Sequence, residues 1–138
     1  MTTMKKVWNI LSTVLVILMV LCAVFLMGSR LLGYQCYNVI SPSMEPVYGV
    51  GDLLYVKKVD PAAIKVGDVI TFVVNEDLVV GTHRVVRVDA EKQRFYTKGD
   101  ANEEMDSGFI TPANVVGTVR VTLRYVGYPT LWLRKLVA

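Results

Sequence analysis

Cysteine and histidine are scarce in this chain. Its 138 residues hold two cysteines, Cys22 and Cys36, and one histidine, His83. Two cysteines make no disulfide framework. Cys22 lies inside a long apolar run and Cys36 lies past its end, a separation that weighs against a bridge. Both are expected to be small apolar packing residues. One histidine without a Cys-x-x-Cys pair excludes the usual zinc sites. Gly49, Gly51, Gly67 and Gly99 spell neither a phosphate loop nor a dinucleotide fingerprint and read as turn residues. There is no internal repeat and no low-complexity stretch. Net charge is also scarce. Lys5, Lys6 and Arg30 account for all of the +3, because from Leu31 onward 12 basic residues face 12 acidic ones. The isoelectric point of about 8.9 therefore marks a membrane anchor, and nucleic acid is not an expected partner.

What is abundant is apolar surface. Hydrophobic residues make up 53% of the chain and mean hydropathy is +0.43, too apolar for an ordinary soluble domain. Val7 to Gly28 is a run of 22 residues without a charge. At about 1.5 Å per residue it reaches roughly 33 Å, enough to cross a hydrocarbon core of about 30 Å. A cleaved signal peptide has a core of only about 7–15 apolar residues and leaves through small residues. This run leaves through Met27-Gly28-Ser29-Arg30. A lipoprotein signal would want small residues before Cys22, where Val20-Leu21 stand. An uncleaved transmembrane helix is therefore expected, with Trp8 as an interfacial aromatic. Lys5, Lys6 and the amino terminus outweigh Arg30, which places the amino terminus in the cytoplasm and the rest of the chain outside it.

Beyond Arg30 the pattern is β. Cys36–Ile40, Leu53–Lys58, Val69–Val74, Leu78–Val88, Gln93–Lys98 and Val115–Tyr125 are short runs rich in β-branched residues. Gly51-Asp52, Gly67-Asp68 and Gly99-Asp100 punctuate them as turns. Arg84, Arg87, Arg120 and Arg124 alternate with valine and leucine, as in half-buried strands. Asp60–Val66 reads as a loop or single turn. Asp100–Gly108 reads as a polar loop with four acids. The expected fold is mainly β, a sandwich or partly open barrel on a single N-terminal transmembrane helix. The expected domains are 1–30 for the cytoplasmic end and anchor, 31–126 for the β domain and 127–138 for a tail.

One constellation suits chemistry. A serine needs a base within hydrogen-bond reach to become a nucleophile. His83 is the one imidazole available, although a lone histidine also serves as a structural or exposed residue. Ser41-Pro42-Ser43-Met44-Glu45-Pro46 follows a strand, and its prolines restrict the backbone around two serines. A rigid turn whose serines satisfy backbone groups would look the same.

Five segments in register resemble type I signal peptidase of the endoplasmic-reticulum branch, the SipW-like group. They are S-P-S-M-E-P, G-D-L-L-Y-V, V-G-D-V-I-T-F, T-H-R-V-V and K-G-D-A-N-E-E-M-D. The resemblance runs from Tyr34 to Arg124 with the anchor before it, and it implies a signal-peptidase-type β domain. The bacterial housekeeping branch carries a lysine where His83 stands, and Asp77 to Ala90 contains no lysine. The resemblance implies Ser43 as nucleophile and His83 as general base. Asp106, six positions after Asp100, matches the third catalytic residue, and Asp100 matches a box aspartate that also matters in the family. Spacing alone leaves open which acid orients His83; Asp106 is preferred, because an acid in a Gly-Asp turn often serves the loop. Ser41 matches an oxyanion-hole hydroxyl, with the Ser43 amide as the second donor. Met44 either packs or belongs to an apolar strip meeting lipid.

The implied activity is removal of N-terminal signal peptides from exported preproteins at A-x-A-like sites, with no cofactor and no metal. The implied location is the cell membrane, or the endoplasmic reticulum membrane in a eukaryote, with the catalytic domain extracytoplasmic. Eukaryotic relatives work with accessory subunits, and bacterial ones need none. A dedicated peptidase for a pilin or biofilm matrix preprotein is a narrower alternative. A non-catalytic, membrane-tethered β binding module is a second. Gly127–Ala138, with Trp132 between leucines and Arg134-Lys135 after it, reads as a short interfacial segment. Many members continue into a second transmembrane helix beyond such a tail.

Overall fold

The chain divides after Tyr34 into two units. The computed structural model describes residues 2–74 and 79–137. Leu78, the expected start of one strand, lies outside the described residues, as does Ala138.

The first unit is helix α1, Thr3–Leu31. Its 29 residues are about 43 Å long. Its mean hydropathy reaches 3.0, so it is long and apolar enough to cross a membrane. Three of its hydroxyls turn inward on the backbone. Ser12 and Thr13 donate to the Asn9 carbonyl at 3.0 and 2.8 Å, and Ser29 donates to that of Leu26 at 2.8 Å. Such bonds hide polar atoms from a surrounding that offers none. Gly33, at φ +81°, ends the helix by donating to the Arg30 carbonyl at 3.0 Å.

The second unit holds six strands: β1 Tyr34–Asn38, β2 Leu53–Lys57, β3 Val69–Val73, β4 Val80–Asp89, β5 Arg94–Lys98 and β6 Val115–Leu123. They form one sheet in the order β1-β2-β6-β3-β4-β5. The ladders β2–β6, β6–β3, β3–β4 and β4–β5 are all antiparallel. Of the sandwich and the partly open barrel expected, the single sheet among the described residues sets aside the two-sheet sandwich. Register shifts at Tyr55/Val56, Thr71/Phe72 and Val85/Arg87 break three ladders. Such bulges bend strands and re-aim side chains.

Alternation decides the core. Leu54 and Val56 on β2 are buried between half-exposed neighbours, as are Phe95 and Thr97 on β5. Strand β3 is buried along Val69–Phe72, as its central place in the sheet demands. Ile64, Ile70, Phe72, Val85 and Phe95 make one cluster, with Ile64 supplied by the turn after Pro61. Neither cysteine belongs to it. Cys22 lies on α1, and Cys36 on β1 is free and exposed, a correction to the packing role expected of Cys36.

The long return from β5 covers that strand's free edge. Phe95 and Ile110 exchange backbone bonds of 2.9 and 2.8 Å, and the Asp106 amide donates to the Thr97 carbonyl at 2.9 Å. Covering an edge removes a site for unwanted pairing. Here it also fixes the polar loop. After β6 the chain forms helix α2, Tyr128–Val137, where the sequence suggested a short interfacial segment.

Ile70 has no exposed surface and touches the strands on both sides of β3. Ile70→Ala is expected to cost about 2–5 kcal/mol, the range for emptying a packed aliphatic site. Thermal unfolding of the full chain in detergent, followed by circular dichroism, checks this. A parental midpoint would show that the core does not rest on β3.

Candidate active site

Ser43 stands on a turn and not on a strand. Pro42–Met44 form one 3-10 turn, with proline at its first position, where a fixed φ is favourable and a missing N–H costs nothing. The Glu45 amide closes the turn on the Pro42 carbonyl at 3.0 Å, and the Tyr48 amide donates to the Met44 carbonyl at 2.9 Å. Met44 is buried, and its sulfur accepts from the Asp100 amide at 3.4 Å. Of the two roles open to Met44, packing is the one its burial fits.

The loop after β5 supports this turn from below. The Ala101 amide donates to the Ser43 carbonyl at 2.9 Å. A Cβ on Gly99 would stand 2.6 Å from that same oxygen. Glycine is required here for close approach, whereas Gly51 and Gly67 carry the positive φ of turns, +92° and +97°.

His83 lies on β4 with one ring nitrogen toward each neighbour. Nε2 is 3.1 Å from Ser43 Oγ, and Nδ1 is 2.5 Å from Asp106 Oδ2. The same carboxylate oxygen accepts from the hydroxyl of buried Thr97 at 2.7 Å. Asp106 is thus held to β5 twice, by its amide and by its side chain. With the Nδ1 proton donated to Asp106, the Nε2 lone pair faces the serine hydroxyl. Ser41 Oγ lies 3.1 Å from Ser43 Oγ on the exposed side.

Asp100 goes elsewhere. Its two oxygens accept from Arg84 Nε and Nη2 at 2.8 and 2.7 Å, and Arg84 Nη1 donates to the Gly67 carbonyl at 2.8 Å. Strand geometry explains the split. His83 and Arg84 are consecutive on β4, so their side chains leave on opposite faces. One loop therefore delivers Asp106 to the first face and Asp100 to the second. The hydrogen bonds from Arg84 hold the Asp100 carboxyl below the usual carboxylate range, and the reciprocal contact raises Arg84.

A small cleft of about 100 Å³ adjoins the serine. Ile40 and Ser41 line it from one segment, and Val80, Gly81 and Thr82 from β4. The β4–β5 ladder begins only at Arg84, so Val80–His83 is laddered by β3 on one side alone among the described residues. That leaves a strand edge beside the cleft on which an extended chain can pair.

The structure brings Ser41, Ser43, His83 and Asp106 together and sets Asp100 apart. Thr97 escaped the sequence reading, and Gly99 was read as a turn residue without its close approach to Ser43. A threonine in a β-prone run and a glycine before an aspartate carry no special signal by type.

Known proteins resemble the chain along much of its length. It is 34% identical over 122 residues to Signal peptidase I W of Bacillus subtilis, covering 81% of this chain and 64% of that protein. It is 35% identical over 103 residues to the human signal peptidase complex catalytic subunit SEC11C, covering 67% and 54%. The Candida dubliniensis subunit SEC11 is 33% identical over 107 residues, covering 70% and 64%. The chain thus spans between about half and two thirds of the length of these relatives. No protein-family model matches it.

The Arg84–Asp100 pair sets a pH dependence of stability. A carboxyl held low in the folded state stabilises fully above its unfolded value, about pH 4, and the contribution is lost as pH falls through the folded value. Asp100→Asn is therefore expected to melt below the parent at neutral pH, with the gap closing under acid. Melting curves at a series of pH values test this, and a gap that stayed constant on acidification would contradict it.

Proposed function

The chain is a homologue of the endoplasmic-reticulum-type signal peptidases I, SipW-like, and we propose that it is a membrane-bound serine endopeptidase that removes signal peptides from exported preproteins. The observation that carries this reading is the hydrogen-bonded series Ser43–His83–Asp106 beside a strand edge that, among the described residues, only β3 ladders, on its other side. Nε2 of His83 takes the Ser43 proton as Oγ attacks the carbonyl carbon at the end of the signal peptide. The Ser43 amide and the Ser41 hydroxyl donate to the oxyanion that forms. His83 then gives its proton to the amine of the leaving mature protein. Water, activated by the same imidazole, releases the signal peptide from Ser43. Asp106 steadies the imidazole and balances its transient charge, and Thr97 steadies Asp106. Each proton in this sequence passes through the His83 imidazole.

The substrate follows from the cleft. A pocket of about 100 Å³ admits small side chains, which fits an A-x-A-like junction. An extended substrate pairs with the free edge at Val80–His83. The amino terminus lies in the cytoplasm and the β domain outside it, by the excess of Lys5 and Lys6 over Arg30. Enzyme and preprotein are then held in one plane, which raises their effective concentration without a large interface.

Purified full-length protein in detergent, given a preprotein with an A-x-A junction, tests the reading by gel and mass spectrometry. Cleavage at the junction is expected, lost in Ser43→Ala and His83→Ala. Asp106→Asn is expected to fall about 10⁴-fold in kcat, and Ser41→Ala about 10²–10³-fold. Thr97→Val removes a hydrogen bond to a charged group and is expected to lower kcat about tenfold or more with KM unchanged. Thr97→Ser restores it. Folded parent protein that left such preproteins intact, or cleavage that survived Ser43→Ala, would overturn the proposal.

A further inference from the structure

Helix α2 is turned the wrong way round for a core-packing helix. At about 100° per residue, Trp132, Leu136, Pro129 and Leu133 share one arc, and Thr130, Leu131 and Arg134 share the other. An amphipathic helix ordinarily buries its apolar arc. Here Trp132, Leu133 and Leu136 are 62, 54 and 64% exposed.

The helix is nevertheless firmly held at its start. Thr130 accepts from the Asn38 side chain and donates to the Gly127 carbonyl at 2.8 Å. Gly127 is buried, and its amide donates to the Gly51 carbonyl at 2.9 Å. The Tyr128 ring occupies the space a side chain on Gly51 would need and stacks on Tyr125 at 6.1 Å. Buried Asp52 closes the knot by accepting from the Tyr125 and Gly49 amides at 3.2 and 3.0 Å. A helix pinned on its polar side displays its apolar side by construction.

Charge says what covers it. After Asp106 the chain contains four basic residues, Arg120, Arg124, Arg134 and Lys135, and no acidic one. Lys135 borders the apolar arc beside Trp132, and Arg134 lies on the opposite arc with Thr130. Tryptophan favours the level of lipid headgroups. A chain with a helix long and apolar enough to span a membrane has a bilayer at hand. We infer that α2 is an interfacial docking helix that lays Trp132, Leu133 and Leu136 into the headgroup boundary of an anionic bilayer, with Lys135 at the edge of that arc on its phosphates. Because Thr130 grips Asn38, a residue that lines the cleft, the docked helix also anchors that wall of the cleft at the membrane surface.

The test uses fluorescence and stands independently of the peptidase reading. The chain has two tryptophans, so Trp8→Phe leaves Trp132 as the one indole. The full-length variant is reconstituted into phosphatidylcholine vesicles with and without phosphatidylglycerol, using lipids brominated at shallow or deep acyl positions. Trp132 emission is expected to shift to the blue and to be quenched more by shallow than by deep bromine, and more strongly with phosphatidylglycerol. Lys135→Gln is expected to cut the anionic preference about fivefold. Leu133→Asp with Leu136→Asp, both at exposed positions, is expected to abolish the quenching while the melting midpoint stays parental. Emission of a water-exposed indole in both vesicles would overturn the inference. So would a blue shift without bromine quenching, which would mean a protein occupant such as a second copy. Equal quenching with and without the anionic lipid would overturn its charge component.

Discussion

The short hydrogen bond between His83 and Asp106, 2.5 Å long, is the contact that the rest of the site serves. An imidazole has two nitrogens, and only one hydrogen-bonding state makes it a base toward serine. A carboxylate on Nδ1 selects that state and keeps the ring in the plane of the reaction. The hydroxyl of Thr97 and the backbone of β5 hold the carboxylate in turn. The turn that carries Ser43 is set against the same loop through Ala101 and Gly99. Ser43, His83 and Asp106 come from three separate stretches of chain, and the loop from 99 to 108 fastens all three.

The sheet makes this possible by two simple constraints. Adjacent residues on a strand face opposite ways, so His83 and Arg84 cannot share a partner. Two acids six residues apart then have two tasks: Asp106 supports the imidazole, and Asp100 ties the loop to Arg84 and the Gly67 turn. The second constraint is the unfinished ladder at the start of β4. Strand β5 covers β4 only from Arg84 onward, which leaves the approach to His83 open to an extended peptide. A bulge at Val85/Arg87 lies just past that point, where a change of strand direction has most effect on what the edge can receive.

Much of this was legible in the residues. The runs at Leu53, Val69 and Val115 begin where strands begin, because β-branched alternation between Gly-Asp turns leaves little freedom. Strand β1 begins two residues earlier than its run suggested. Gly33 ends the helix directly before it, and Val39 turns its amide to the Asp52 carbonyl instead of extending the strand. Ser43, His83 and Asp106 were readable as a set because reactive residue types stand in recognisable boxes. The division of labour between Asp106 and Asp100 was legible only as a preference for Asp106, drawn from the Gly-Asp turn, since it depends on the face of β4 each loop position reaches. Thr97 was hidden for a related reason: a buried strand threonine and a carboxylate-holding threonine have the same sequence signature. The outward-facing arc of α2 was half visible, in its composition. That the polar side is the one gripped emerges only from Asn38, Gly51 and Asp52, far away in sequence.

A chain with a single histidine permits one unusually direct measurement. Full-length protein labelled with nitrogen-15 at histidine gives one imidazole in the spectrum, free of overlap. The account predicts the tautomer with the proton on Nδ1, a far-downfield proton signal for the bond to Asp106, and loss of both in Asp106→Asn. Asp100→Asn should leave them in place. An imidazole protonated on Nε2 at neutral pH, or a spectrum unchanged by Asp106→Asn, would contradict the account at its centre, since Nε2 could then take no proton from Ser43.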